Sequence, residues 1–241
     1  MALAESRGAH RRMKIACFLT YHDEANPGRR VSDADLEQFK QILAGIRGVS
    51  RALVFTPEKT SDPFLKDEAS PQLATELYFD DIAPLERAAA RGGALQPLAD
   101  LLPRAHVTQQ AMLARSFPVP EPRFQGAGLP CTNLVGYEGP AEDLNAWLAH
   151  YIDNHPPLMA RMPGIRELEV CTRIDWCTFL PWRRDPCMQR NKVVFDSVQA
   201  LNEAVRSPIR REMREDYNRF PPFSGKVFHY PMATLEIAPE R

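Results

Sequence analysis

The feature that most constrains this chain is an internal duplication. Sliding the 241-residue sequence along itself by 116 positions brings three landmarks into line at once. Tyr21, which ends the apolar run Ile15-Ala-Cys-Phe-Leu-Thr, meets Tyr137, which ends Asn133-Leu-Val-Gly. Gly48-Val49-Ser-Arg-Ala-Leu-Val54-Phe-Thr56 meets Gly164-Ile165-Arg-Glu-Leu-Glu-Val170-Cys-Thr172. Phe79-Asp80 meets Phe195-Asp196, with Leu85 on Leu201 and Ala88 on Ala204. One gap-free offset held over about 65 positions marks an old tandem repeat, so both halves must fold alike.

Each half reads strand, helix, strand, strand, helix, strand. In the first, Lys14 to His22 is a strand, and Ser32, with Asp35 three residues on, caps a helix. Its apolar positions Leu36, Phe39, Ile42, Leu43 and Ile46 recur at helical spacing, and Gly48 ends it. Strands follow at Ala52 to Thr56 and Glu76 to Phe79, then a helix to about Arg91 that starts on Asp80, then a strand over Val107 to Ala114. The second half gives strand Thr132 to Tyr137, helix Ala141 to Asn154, and strands Arg166 to Ile174 and Lys192 to Phe195. It closes with helix Val198 to Tyr217 and strand Lys226 to Ile237.

A βαββαβ unit is the ferredoxin-like split arrangement, an antiparallel sheet with both helices on one face. The other face is bare and has to be buried. The expected class is therefore α+β, with two tandem ferredoxin-like units closing on each other as a pseudo-dimeric barrel. Residues 13–115 and 131–241 form the repeats, and residues 1–12 form a flexible leader. The alternating prolines of 116–130 form an extended linker between the repeats.

Composition bounds function by exclusion. Thirty Lys+Arg against 31 Asp+Glu lack the basic excess of a nucleic-acid binder. No apolar run approaches the roughly 20 residues of a membrane span. Five cysteines without a C-x-x-C pair fit a reduced, cytoplasmic protein with no structural zinc. Walker, dinucleotide and G-x-S-x-G fingerprints are absent, so no cofactor is expected.

The segment Tyr151-Ile-Asp-Asn-His155-Pro-Pro-Leu158-Met-Ala-Arg-Met-Pro163-Gly164-Ile165 resembles the helix-to-strand signature of EthD-type proteins in the dimeric α+β barrel superfamily. The tandem length resembles its REDY-like branch. The resemblance implies cofactor-free chemistry on small, often aromatic-derived molecules, and is compatible with a homodimer of the two-repeat chain. Phe39 stands where the second half has His155, which marks the halves as unequal.

Among single residues His155 carries most weight. At 100° per residue from Leu144 it falls at about 20°, inside the stripe of Trp147, Leu148, Tyr151 and Ile152. An imidazole facing the sheet can be tuned for proton transfer, although a buried, backbone-satisfied histidine has the same signature. His150 falls near 240°, toward solvent. Tyr137 and Tyr21 end equivalent strands and His22 follows the latter; a tyrosine there can donate to a developing oxyanion or simply pack. Asn133 shares the face of Tyr137. Arg173 on the second strand, or Arg183 and Arg184 beside Trp176, offer a grip for a substrate carboxylate. His229 and Tyr230 begin the last strand on opposite faces. Asp80 and Asp196 read as helix caps.

These residues support a cofactor-independent acid–base enzyme acting on a small unsaturated or aromatic-derived carboxylic acid. Isomerisation or ester cleavage of a ring-cleavage product is the first expectation. A polyketide-type cyclase, a cofactor-free monooxygenase, and a non-catalytic ligand-binding protein are the alternatives.

Overall fold

The computed structural model describes residues 13–60 and 69–238; the 1–12 leader lies outside the described residues. The first half runs β1 (Lys14–His22), α1 (Asp33–Ala44), β2 (Val49–Pro57), β3 (Leu73–Phe79), α2 (Ile82–Ala88), a 3₁₀ turn at Gln96–Asp100 and β4 (His106–Phe117). The second runs β5 (Cys131–Glu138), α3 (Leu144–Met159), β6 (Ile165–Arg173), the two-residue β7 (Arg183–Arg184), β8 (Cys187–Phe195), α4 (Val198–Arg206), α5 (Ile209–Tyr217) and β9 (Val227–Ile237).

Each half has the ferredoxin-like strand order, β4-β1-β3-β2 and β9-β5-β8-β6, with antiparallel neighbours. The halves do more than face each other, because their edges also pair. The last strand of each binds the second strand of the other, β4 to β6 and β9 to β2, which closes an eight-stranded antiparallel barrel. No barrel edge is left unpaired, which removes the aggregation hazard of an open sheet. The helices lie outside, and each half has its own apolar cluster between helices and sheet.

The 116-residue offset is visible in the backbone. Gly48 and Gly164 both take positive φ, +87° and +73°, where they turn the chain into β2 and β6. Leu85, Leu201, Ala88 and Ala204 are all buried.

Several element ends differ from the sequence expectation. α1 stops at Ala44, capped by Gly45, and α2 stops at Ala88. The caps are Asp81 and Ser197, one residue beyond Asp80 and Asp196. Asp80 pairs instead with Lys14, and Asp196 with Arg166 at 2.6 Å. α3 starts at Leu144 and continues through Pro156-Pro157 to Met159, because Ala160 N–H still reaches the Pro156 carbonyl at 2.9 Å. The expected helix 198–217 is two helices, since Pro208 supplies no N–H to continue the first.

The barrel interior is not wholly apolar. Phe18, Leu53, Phe55, Leu134 and Met232 fill much of it. Near the pseudo-twofold axis sits Lys192, fully buried, with Nζ 3.1 Å from Glu167, 3.5 Å from Glu76 and 3.5 Å from Glu169, and in contact with the Tyr78 hydroxyl. Tyr78 donates to Glu169 at 2.8 Å, and Arg51 pairs with Glu167 at 2.9 Å. Burial first, then the neighbouring Glu169, push the Glu76 carboxyl up to about 8 against the pull of Lys192. Glu76 thus stays protonated at neutral pH and the cluster is close to neutral.

Two outcomes follow for urea unfolding. Lys192→Met strands buried carboxylates and should cost about 3–5 kcal/mol. Glu76 binds its proton more tightly folded than unfolded, so its contribution to stability falls as pH rises from its ordinary 4.5 to about 8. Glu76→Gln, which copies the protonated form, should remove that part of the pH dependence. Equal slopes in wild type and Glu76→Gln would contradict the assignment.

Candidate active site

α3 presents Trp147, Tyr151, His155 and Met159, four residues apart, to the second-half sheet, and all are buried. Asp143 fixes its start by accepting from Ala146 N–H at 2.9 Å. α5 packs beside it with Ile209, Met213 and Asp216 inward. Asp216 is 1% exposed and meets His155, Oδ2 to Nδ1, at 2.9 Å. With Nδ1 committed to the carboxylate, Nε2 is the nitrogen left for a ligand.

His155 forms part of the wall of a cavity of about 90 Å³. β5 contributes Asn133, Val135 and Tyr137; β8 contributes Asn191, Val193 and Phe195; β9 contributes Val227 and His229. The helices add Met159, Val205, Arg210 and Met213. The lining mixes hydrocarbon with converging polar groups, to which Arg214 and Tyr217 of α5 also contribute.

Burial pushes the His155 imidazole below its ordinary value, opposed by its hydrogen bond to Asp216. Burial alone would raise the Asp216 carboxyl, but the hydrogen bonds and charges of His155 and His150 hold it below the usual range. The pair at neutral pH is therefore a neutral imidazole on an ionised carboxylate. Burial also raises Tyr137 and Tyr151, so both keep their protons. Their hydroxyls are hydrogen-bonded to each other, and the Asn191 amide donates to Tyr151.

Of the residues singled out in sequence, His155, Tyr137, Asn133 and His229 come together here. Tyr230, on the opposite face of β9, packs in the barrel interior. His150 departs from its expected solvent face. Its side chain is only 25% exposed, and Nε2 lies 3.2 Å from the other oxygen of Asp216.

The remaining residues lie elsewhere. Arg173 is exposed at the end of β6. Arg183 and Arg184 form the exposed β7, hydrogen-bonded to β4. Arg184 stacks over Trp176 at 5.6 Å and donates to its carbonyl. Trp176 itself is buried in the first-half core, because the chain after β6 crosses onto that half. There Phe179 N–H binds the Ala89 carbonyl at 2.9 Å, and Gln109 holds the Trp182 carbonyl at 2.7 Å. Tyr21 is buried with its ring edge-on to Phe39 at 5.1 Å and to Trp182 at 5.8 Å. His22 sits at the barrel mouth, 5.9 Å from the Tyr230 ring.

Among the described residues, the first half does not repeat the histidines of this wall. By sequence offset and strand register, the repeat mates of Asn133, His155 and His229 are Cys17, Phe39 and Gln109. The Gln109 amide donates to the Leu180 and Trp182 carbonyls, and Trp176, Leu180 and Trp182 pack onto the same cluster. Sequence reasoning missed Arg210, Asn191 and Asp216. Asp216 had a legible signal: at 100° per residue from Ile209 it falls at about 340°, within the stripe of Ile209 and Met213.

Four of the cysteines are buried, and burial pushes the thiols of Cys17 and Cys131 up to about 12. They are poor nucleophiles. Among the described residues, the one group with metal-ligand spacing is Glu76, Glu169 and Cys171 inside the barrel, where the Lys192 ammonium already supplies the cation. No helix among the described residues is long and apolar enough to cross a membrane.

Known structures can be compared with this geometry. An anthrone oxidase-like protein matches with a TM-score of 0.60 and 12% identity, over 96% of this chain and 95% of that one. A candidate monooxygenase from Fusobacterium nucleatum matches with a TM-score of 0.58 and 8% identity, over 94% of each chain. Chlorite dismutase from Candidatus Nitrospira defluvii matches with a TM-score of 0.50 and 11% identity, over 91% of each. The fold is a dimeric α+β barrel. In this chain the two repeats of the barrel are covalently joined. At these identities the likeness is one of fold. No family model and no curated protein matches the sequence.

The contrast between an open and a filled half has a direct test in the repeat mates Val193 and Leu77. Leu77→Phe, in the filled half, should cost about 1–3 kcal/mol by overpacking. Val193→Phe, at the cavity wall, should cost clearly less in the same urea titration. Equal costs would mean that the cavity is not open space.

Proposed function

We propose that this α+β barrel is a cofactor-independent enzyme that abstracts a proton from a small aromatic-derived or unsaturated acid bound in the second-half cavity. The observation that carries this reading is the buried His155–Asp216 pair in the wall of an apolar cavity that Arg210 also lines. The resemblance of Tyr151 to Ile165 to EthD-type proteins adds support, since that segment supplies His155.

In this reading His155 Nε2 takes the proton, and Asp216 holds the ring through Nδ1–H and stabilises the imidazolium that forms. Arg210 balances the charge of the substrate anion, taking the place expected of Arg173 or Arg183 and Arg184. Asn133 and the protonated Tyr137 offer uncharged hydrogen bonds to the oxygen where charge develops. Return of the proton to a different carbon completes an isomerisation. Ester cleavage would use the same imidazole to activate water.

A second fate of the same carbanion is reaction with dioxygen, which would make the protein a cofactor-free monooxygenase. The apolar wall of Val135, Val193, Phe195 and Val227 favours it, as does likeness to an anthrone oxidase-like protein and a candidate monooxygenase.

The test is a panel of ring-cleavage products and enolisable aromatic acids followed by ultraviolet absorbance, with oxygen uptake recorded in parallel. His155→Asn should lower kcat by about 10²–10⁴-fold with the fold intact. Because His155 must be neutral to accept a proton, kcat/KM should be lost as pH falls through the imidazole midpoint, which lies below its ordinary 6.5. Exhaustive chelation should leave turnover unchanged. Near-wild-type turnover in His155→Asn would show the imidazole to be structural.

A further inference from the structure

His150 was expected to face solvent and to serve as an inert neighbour of His155. The structure instead places both imidazoles on one carboxylate. His155 Nδ1 meets Oδ2 of Asp216 at 2.9 Å, and His150 Nε2 meets Oδ1 at 3.2 Å. Five residues apart on α3, the two rings diverge by about 140°, yet α5 brings Asp216 between them. Phe220, just beyond α5, packs edge-on to both, 5.5 Å from His150 and 5.3 Å from His155. A third donor, Arg219, approaches Oδ1 at 3.4 Å from a mostly exposed position.

We propose that His150 is a positioning residue that shares Asp216 with His155 and thereby keeps His155 in its neutral, proton-accepting form. This rests on the reading of His155 as the base. One carboxylate carries one negative charge and can fully compensate one imidazolium, so protonation of the two rings is anticooperative. His150 is the more open of the two, with 25% of its side chain exposed against 6% for His155. Any positive charge held against Oδ1 opposes a second one at Oδ2. A neutral His150 acts in the same direction, because the Nε2–H it donates to Oδ1 leaves the carboxylate a weaker acceptor for His155. The other groups around the pair are Arg210 on α5 and His229 on β9, both facing His155, with Tyr137, Tyr151 and Tyr217 as neutral hydroxyls nearby. Both Arg210 and His229 disfavour the imidazolium as well, and both remain in place in a His150 variant.

The test uses the full chain without any substrate: an NMR pH titration of the imidazole resonances. His150→Ala removes both the charge and the donor, and the His155 midpoint should rise by about half a pH unit or more. His150→Gln keeps a donor to Oδ1 without the charge, and should give a smaller rise. Asp216→Asn should move the midpoint the other way. Unchanged resonances of His22 and His106, at the distant barrel mouth, report that the fold is intact. A His155 midpoint that stays put or falls in His150→Ala would overturn the proposal. Activity plays no part in this readout, so it stands or falls separately from the base assignment, which His155→Asn turnover decides.

Discussion

A four-stranded sheet with helices on one face cannot stand in water with its second face bare. Everything else in this molecule follows from how that face is covered. Each half covers the other, and the strand edges then meet, so that β4 joins β6 and β9 joins β2 in a closed barrel. Two separate copies of one unit could make the same closure, but with a restriction. Across a twofold axis each residue near the axis meets its own copy, so a charge there meets a like charge. Joining the units in one chain lifts the restriction. Arg51 and Glu167 are repeat mates and form an ion pair at 2.9 Å, while Lys192 and its repeat mate Glu76 lie 3.5 Å apart as an ammonium beside a protonated carboxyl. Opposite charges on symmetry-equivalent positions favour pairing of unlike halves over pairing of like ones.

The same freedom lets the two helix-facing clusters diverge. In the first half, hydrocarbon and the chain following β6 fill the space under the helices. In the second half, Asn133 and His155, the polar mates of Cys17 and Phe39, line a cavity. The crossing segment 174–186 is therefore best understood as packing for the first half, although it follows a strand of the second. Its arginines and tryptophan read in sequence as a ligand grip. In three dimensions they hold this segment in place, and the arginines that line the cavity are Arg210 and Arg214.

Much of the fold was legible because duplication doubles every local signal. β1 spans the expected Lys14 to His22, and both glycines at the helix-to-strand turns sit at matched positions. What was not legible came from burial decided by the partner half. β8 is buried along its whole length, yet the expected strand begins only at Lys192, because the polar Gln189-Arg190-Asn191 before it carries no strand signal. Lys192 has a place in the sheet because Glu167, Glu169, Tyr78 and Glu76 surround its ammonium, a set that no local pattern shows. In the site, His155 was legible as a polar residue in an apolar helical stripe. Asp216 carries the same signal, but reading α4 and α5 as one helix hid it. The sharing of one carboxylate by His150 and His155 depends on the α3–α5 packing, and helical geometry on α3 alone points the two rings apart.

The central claim is that small acids enter the second half and not the first. Chemical-shift mapping with salicylate on ¹⁵N-labelled protein tests it most directly. Saturable shifts should cluster at residues 133–137, 155–162, 191–195, 205–217 and 227–229, with the matching first-half positions 17–21, 39–46 and 75–79 unmoved. Shifts centred on the first half, or spread equally over both, would contradict the account.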